Sequence, residues 1–75
     1  MGETKLTPLL REALTEVGRY EGQNRLYWWR VRSMMALEAM GLVETWRSPS
    51  LAGYRGKQLP YRITEAGREA LRKTS

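Results

Sequence analysis

Asn24 to Arg47 reads NRLYWWRVRSMMALEAMGLVETWR, and the order of residue types within it decides how the chain folds. Good helix formers fill Met34 to Ala39. Asn24 offers a capping side chain in front of them and Met40-Gly41 a left-handed stop behind, which together predict a helix over 24–40. Steps of about 100° put Leu26, Tyr27, Val31, Met34 and Leu37 on one side and Arg25, Trp29, Arg32 and Ala36 on the other. The second set follows the spacing i, i+4, i+7, i+11, so it forms a single stripe: one face packs and the other, basic face points outward. Arg30 falls close to Leu26 and Leu37 on this wheel. Either its head snorkels to water or the helix begins later than Asn24.

Beyond Gly41 the pattern changes period. LVETWR (42–47) and LPYRIT (59–64) are rich in β-formers, and Leu59, Tyr61 and Ile63 alternate with Pro60, Arg62 and Thr64. They are expected to pair as an antiparallel hairpin, with Pro60 marking the second strand as an edge, at least locally. The connection SPSLAGYRGKQ carries Pro49, Gly53 and Gly56, longer than a tight turn and suited to a projecting loop. Thr64 then caps a closing helix from Glu65 to about Lys73, whose Glu65 and Arg72-Lys73 suit the helix dipole. Upstream, residues 1–6 are expected to be a flexible terminus and 7–75 a single domain. Thr7 and Pro8 start a first helix, Leu9, Leu10, Ala13, Leu14 and Val17 give it an apolar stripe, and Gly18 to Tyr20 is its expected end.

The 75 residues include no Cys and no His, which removes disulfides, thiolate chemistry, imidazole ligands and most nucleophilic triads. No Gly-rich phosphate loop or metal-ligand spacing appears, and GYRGK (53–57) is too short for a P-loop, so neither catalysis nor a cofactor is expected. Met1 is followed by polar GETK and no apolar run approaches spanning length. The expectation is therefore no secretory signal, no membrane segment and a cytoplasmic location. The net charge of +5 is unevenly spread. Residues 22–37 and 45–64 hold Arg25, Arg30, Arg32, Arg47, Arg55, Lys57 and Arg62 with no carboxylate, whereas the remaining six cations share their segments with all eight Glu. Basicity gathered in one helix and one hairpin is the electrostatic footprint of a polyanion partner.

Two stretches carry a family resemblance. LEAMGLVE (37–44), with a Leu four residues before Gly and then Leu-Val, resembles the end of a recognition helix and the start of a wing. YRITEAGREAL (61–71), with the pattern Tyr-x-Ile-Thr-x-x-Gly-x-x-x-Leu, resembles a second wing strand and the helix after it. Together with the element order they resemble the winged helix-turn-helix domains of MarR-like and PadR-like transcription regulators, over residues 24–73. The resemblance implies an α+β fold, a small winged helix in which helices are followed by a two-stranded antiparallel hairpin, the wing, and a C-terminal helix. Only Arg19 to Gln23 separates the first clear helix from the second. Either the family's positioning helix has shrunk to a turn, or helix 8–18 is itself that helix.

On this resemblance the expected activity is sequence-specific binding of double-stranded DNA by a small regulator of transcription or of a mobile element such as a phage. The recognition helix 24–40 would enter the major groove through Arg25, Trp29, Arg30, Arg32, Ser33 and Ala36, since Arg can bridge guanine O6 and N7 while small residues let the backbone approach. Wing residues 48–58, with Arg55 and Lys57, would reach the backbone or minor groove, flanked by Arg47 and Arg62. Roughly four to six phosphate contacts imply a log–log salt slope of about −4 to −5. Trp28 is expected to be partly buried, Trp29 exposed and Trp46 packed. A homodimer stays open, and so does the alternative function, a winged-helix module docking on transcription or replication machinery through Trp29.

Overall fold

A computed structural model describes residues 6–56 and 58–74; Lys57 and most of the N-terminal segment 1–6 therefore lie outside the described residues. The first helix, α1 (Pro8–Gly22), starts as its chemistry dictates. Thr7 Oγ1 accepts the Leu10 N–H at 3.2 Å, and Pro8 occupies the first turn, where no N–H is needed. Ala13, Leu14 and Val17 are fully buried. The helix runs past the expected end at Gly18 to Tyr20 because Gly18 is a packing residue. A Cβ there would stand 3.3 Å from Ile63 Cδ1, so the missing side chain admits the sheet.

Asn24 ends α1 and does not cap the next helix. It takes φ 61°, the Arg25 N–H returns to the Tyr20 carbonyl (2.9 Å) and the Asn24 N–H to that of Glu21 (3.0 Å), which is the Schellman arrangement with Asn in the left-handed place usually given to Gly. The predicted helix over 24–40 is accordingly corrected: α2 spans Val31–Ala39, and residues 24–30 are not helical. The physical reason is tertiary. Tyr27 forms an antiparallel bridge to Tyr61, whose N–H donates to the Tyr27 carbonyl at 2.8 Å, and the bulky run Tyr27-Trp28-Trp29 prefers extended chain. The single helical stripe Arg25–Trp29–Arg32–Ala36 therefore does not exist; Arg32 and Ala36 lie on α2, Arg25 and Trp29 on the segment before it. Arg30, at φ 53°, makes the corner between the two.

The end of α2 follows the sequence closely. Gly41 sits at φ 79°, with Leu42 N–H bonded to the Leu37 carbonyl and Gly41 N–H to that of Glu38, both at 2.9 Å. Strands β1 (Val43–Thr45) and β2 (Tyr61–Ile63) then pair antiparallel in the register Val43–Ile63, Glu44–Arg62, Thr45–Tyr61. Among the described residues the sheet has two strands, so β2 is an edge as Pro60 implies, and its outer side is met only by single groups. β2 lies between β1 on one side and, on the other, the Tyr27 carbonyl and the Glu21 carboxylate, which accepts the Ile63 N–H at 3.2 Å. Pro60 is tolerated because it precedes the first strand residue and only its carbonyl is used, by the Trp46 N–H.

Helix α3 (Glu65–Thr74) begins where Thr64 Oγ1 accepts the Gly67 N–H at 3.0 Å, and the same hydroxyl donates to the Gly41 carbonyl at 2.8 Å. The described residues thus form an α+β fold, with three α-helices and one two-stranded hairpin among them. Its core gathers Leu14, Val17, Tyr27, Met34, Leu37, Val43 and Ile63, with Leu10, Ala70 and Leu71 packed at its margin. Among the described residues no helix is long and apolar enough to cross a membrane.

Candidate nucleic-acid interface

The two acid-free segments converge in space. Residues 25–30 lead into α2, and the hairpin loop follows β1; the ring of Trp28 meets that of Tyr54 with centroids 6.4 Å apart, joining one segment to the other. The loop has more internal order than its Gly and Ser content implies. Ser48 Oγ caps a single 3-10 turn, Pro49–Leu51, by accepting the Ser50 N–H at 3.2 Å. Tyr54 returns its N–H to the Leu51 carbonyl at 2.8 Å and donates its hydroxyl to the Gln58 carbonyl at 3.0 Å. Arg47 reaches across the loop to donate to the Tyr54 carbonyl at 3.1 Å. Tyr54 is therefore a loop-ordering residue, and only the Ser48-Pro49-Ser50 turn chemistry hinted at it in the sequence.

The cations divide into two groups. Arg30 donates from Nε to Glu16 at 2.8 Å, with Glu12 at 4.0 Å, and Arg62 pairs with Glu44 at 2.8 Å across the strands while lying 5.0 Å from the Trp46 ring centroid. Those two positive charges are locally answered. Arg25, Arg32, Arg47 and Arg55 are exposed and have no carboxylate in pairing range among the described residues. Arg25 rests on the Tyr20 ring at 4.6 Å. Arg32 is the second residue of α2, whose first turn has no side-chain cap, so the helix presents its positive end beside a cation. Ser33 and Ala36 are half-buried on the same helix. Trp29 is half exposed, with its ring against Tyr20 and Tyr27, each at 5.4 Å. Trp28 is partly buried, as expected, and Trp46 is half-buried on the outer side of the hairpin.

A polar knot holds α1 to the corner before α2. The Tyr27 hydroxyl donates to Glu16 Oε1, which also receives Arg30 Nε. The Tyr27 hydrogen bond, followed by that from Arg30 and its charge, outweighs burial and holds the Glu16 carboxyl below its ordinary range. Burial, and then the bond to Glu16, pushes the Tyr27 phenol up. These partners are far apart in sequence and share no motif, so nothing in the chain pattern marked them. The Tyr61 phenol is also raised, by burial and then by the charge of Glu38.

No family model, curated protein or solved structure matches the chain. The geometry of the site therefore carries the functional reading.

Proposed function

We propose that the protein binds double-stranded DNA as a minimal winged-helix domain and serves as a small regulator of transcription or of a mobile element. The carrying observation is the convergence of two acid-free segments through Trp28 and Tyr54, with Arg25, Arg32, Arg47 and Arg55 left without carboxylate partners. In this reading α2 lies against the major groove with Arg32 at its leading end and Ser33 and Ala36 allowing close approach. The hairpin loop is the wing, its Arg47 and Arg55, together with Lys57 in the sequence, meeting the phosphate backbone or the minor groove. Arg30 and Arg62 act as struts that orient these elements, because Glu16 and Glu44 already hold them. Helix α1 occupies the positioning role.

Fluorescence anisotropy of labelled duplexes between about 50 and 200 mM salt tests the proposal. Micromolar binding that weakens steeply with salt is expected. Arg55→Ala should weaken all duplexes alike and flatten the salt slope by about one, whereas Arg32→Ala should reduce discrimination between a selected site and random sequence by about 1–3 kcal/mol. Equal effects of Arg32→Ala on both duplexes would remove that residue from the base-reading role. Absence of binding at low salt would favour the second reading, a protein-docking module, which draws on the exposure of Trp29 (51%) and of Val31 and Met35, one turn apart on α2.

A further inference from the structure

On the outer side of the hairpin the chain encloses a cleft of about 540 Å³. The strand register explains which side chains reach it. Val43, Ile63 and Tyr61 are buried toward the helices, so Glu44 and Arg62, one residue out of phase, face the other way. Tyr27, bridged to Tyr61, is buried too, and its neighbour Leu26 turns to the outer side. Leu26, Trp46 and Arg62 line the cleft together with Arg25, the Glu21 carboxylate and the serines Ser48 and Ser50.

Three properties of this cleft converge on one class of occupant. The first is a planar surface: the Trp46 indole is half-buried and the Arg62 guanidinium lies 5.0 Å from its centroid, a pairing of two flat groups on which a heterocyclic base stacks. The second is an anion-binding group beside that surface. Arg25 is held against Tyr20 and, among the described residues, its side chain makes one hydrogen bond, of 3.4 Å to Gln23, so its donor fork is available to a phosphate. The two carboxylates nearby are engaged, Glu44 by Arg62 and Glu21 by Arg68 and the Ile63 N–H, so neither opposes an anion with an unpaired charge. The third is hydrogen-bonding capacity: the exposed Ser50 hydroxyl, 2.9 Å from Ser48 Oγ, keeps a lone pair or a proton for a base edge, while Ser48 Oγ is taken up by it and by the Ser50 N–H. The volume suits a single small ligand, and a base paired inside a duplex has no face to offer.

We infer that this cleft binds an unpaired nucleotide, its base on Trp46 and Arg62 and its phosphate on Arg25. The occupant is a free nucleoside phosphate or one residue of a single strand. The cleft shares Arg25 with the duplex surface and differs from it in Trp46 and the two serines, while Arg32 of α2 and Arg55 of the loop lie outside its lining.

The test is anisotropy of labelled oligothymidylate of twelve residues, which forms no duplex, against an abasic deoxyribose-phosphate strand of equal length, with thymidine monophosphate as competitor. Oligothymidylate should bind at least tenfold more tightly than the abasic strand, since stacking supplies about that factor per base. Trp46→Leu should remove the difference, Trp46→Tyr should restore it, and Arg25→Ala should weaken binding about fivefold or more. Competition by the monophosphate at millimolar concentration identifies the free nucleotide as sufficient; failure to compete while the oligomer binds assigns the site to a strand. Equal binding of the abasic and base-bearing strands by the unaltered protein would overturn the inference whatever the variants do. Arg32→Ala and Arg55→Ala, which lie off the cleft, should leave the ratio of oligothymidylate to abasic-strand affinity within twofold even where both affinities fall, so the base-stacking site and the duplex surface fail independently.

Discussion

Glu16 ties α1 to the corner before α2, receiving both the Tyr27 hydroxyl and Arg30 Nε. Tyr27→Phe keeps the ring packing and removes a hydrogen bond to a charged acceptor, which should lower stability by about 1–2 kcal/mol in urea unfolding at neutral pH. The pH dependence has a definite sign. Glu16 titrates below its ordinary 4.5 in the folded chain, so its contribution is present above that value and disappears as pH falls through the lower, folded one. The stability gap between the native sequence and Glu16→Gln should thus be widest near neutrality and shrink below about pH 4. A gap unchanged from pH 7 to pH 3 would detach the effect from ionisation. Arg30 adds a backbone component, because a non-glycine residue at φ 53° is strained. Arg30→Gly and Arg30→Ala both lose the ion pair, but only the first relieves the strain, so the alanine variant should melt below the glycine variant.

Two helical glycines differ sharply in what a side chain there would meet. A Cβ on Gly67 of α3 would collide with the Leu42 carbonyl oxygen and stand 2.6 Å from Ile63 Cγ1, so backbone itself would have to move. Gly67→Ala should cost about 2–4 kcal/mol, read as a lower urea midpoint with α3 displaced from the hairpin. Gly22, at the end of α1, has nothing within 4 Å of such an atom. Gly22→Ala should be neutral or stabilise by up to about 1 kcal/mol through helix propensity; a large loss there would mean that α1 ends differently. The contrast also marks what local chemistry makes legible. Thr7-Pro8, the Gly41 stop and the Thr64 cap each act within a few residues of themselves, and all three are found where the sequence predicts them. Asn24 is not decided locally, because the same side chain can open a helix or, in left-handed conformation, close one. What decides is the bridge from Tyr27 to Tyr61, a contact of long sequence separation that a helical wheel cannot contain.

For the molecule as a whole, charge segregation is readable from the chain, while charge pairing is a property of the folded state. Seven cations lie in acid-free segments, but Glu16 comes from α1 to meet Arg30 and Glu44 from the facing strand to meet Arg62. Four described arginines remain, with Lys57 known only from the sequence, so the expected number of phosphate contacts falls to about four or five and the salt slope for duplex DNA to about −4. Glu44→Gln removes no positive charge, yet it releases Arg62, whose side chain is 42% exposed, to act as one more cation at the edge of the same surface. Duplex affinity should therefore rise, most at low salt, and the log–log slope should steepen by about one. Arg62→Gln, which removes a cation already neutralised, should leave the duplex slope close to that of the native sequence. Anisotropy across about 50 to 200 mM salt separates the outcomes. If Glu44→Gln matches the unaltered protein while Arg62→Gln flattens the slope, Arg62 already contacts phosphate despite its partner, and the division of cations into paired and available groups is wrong.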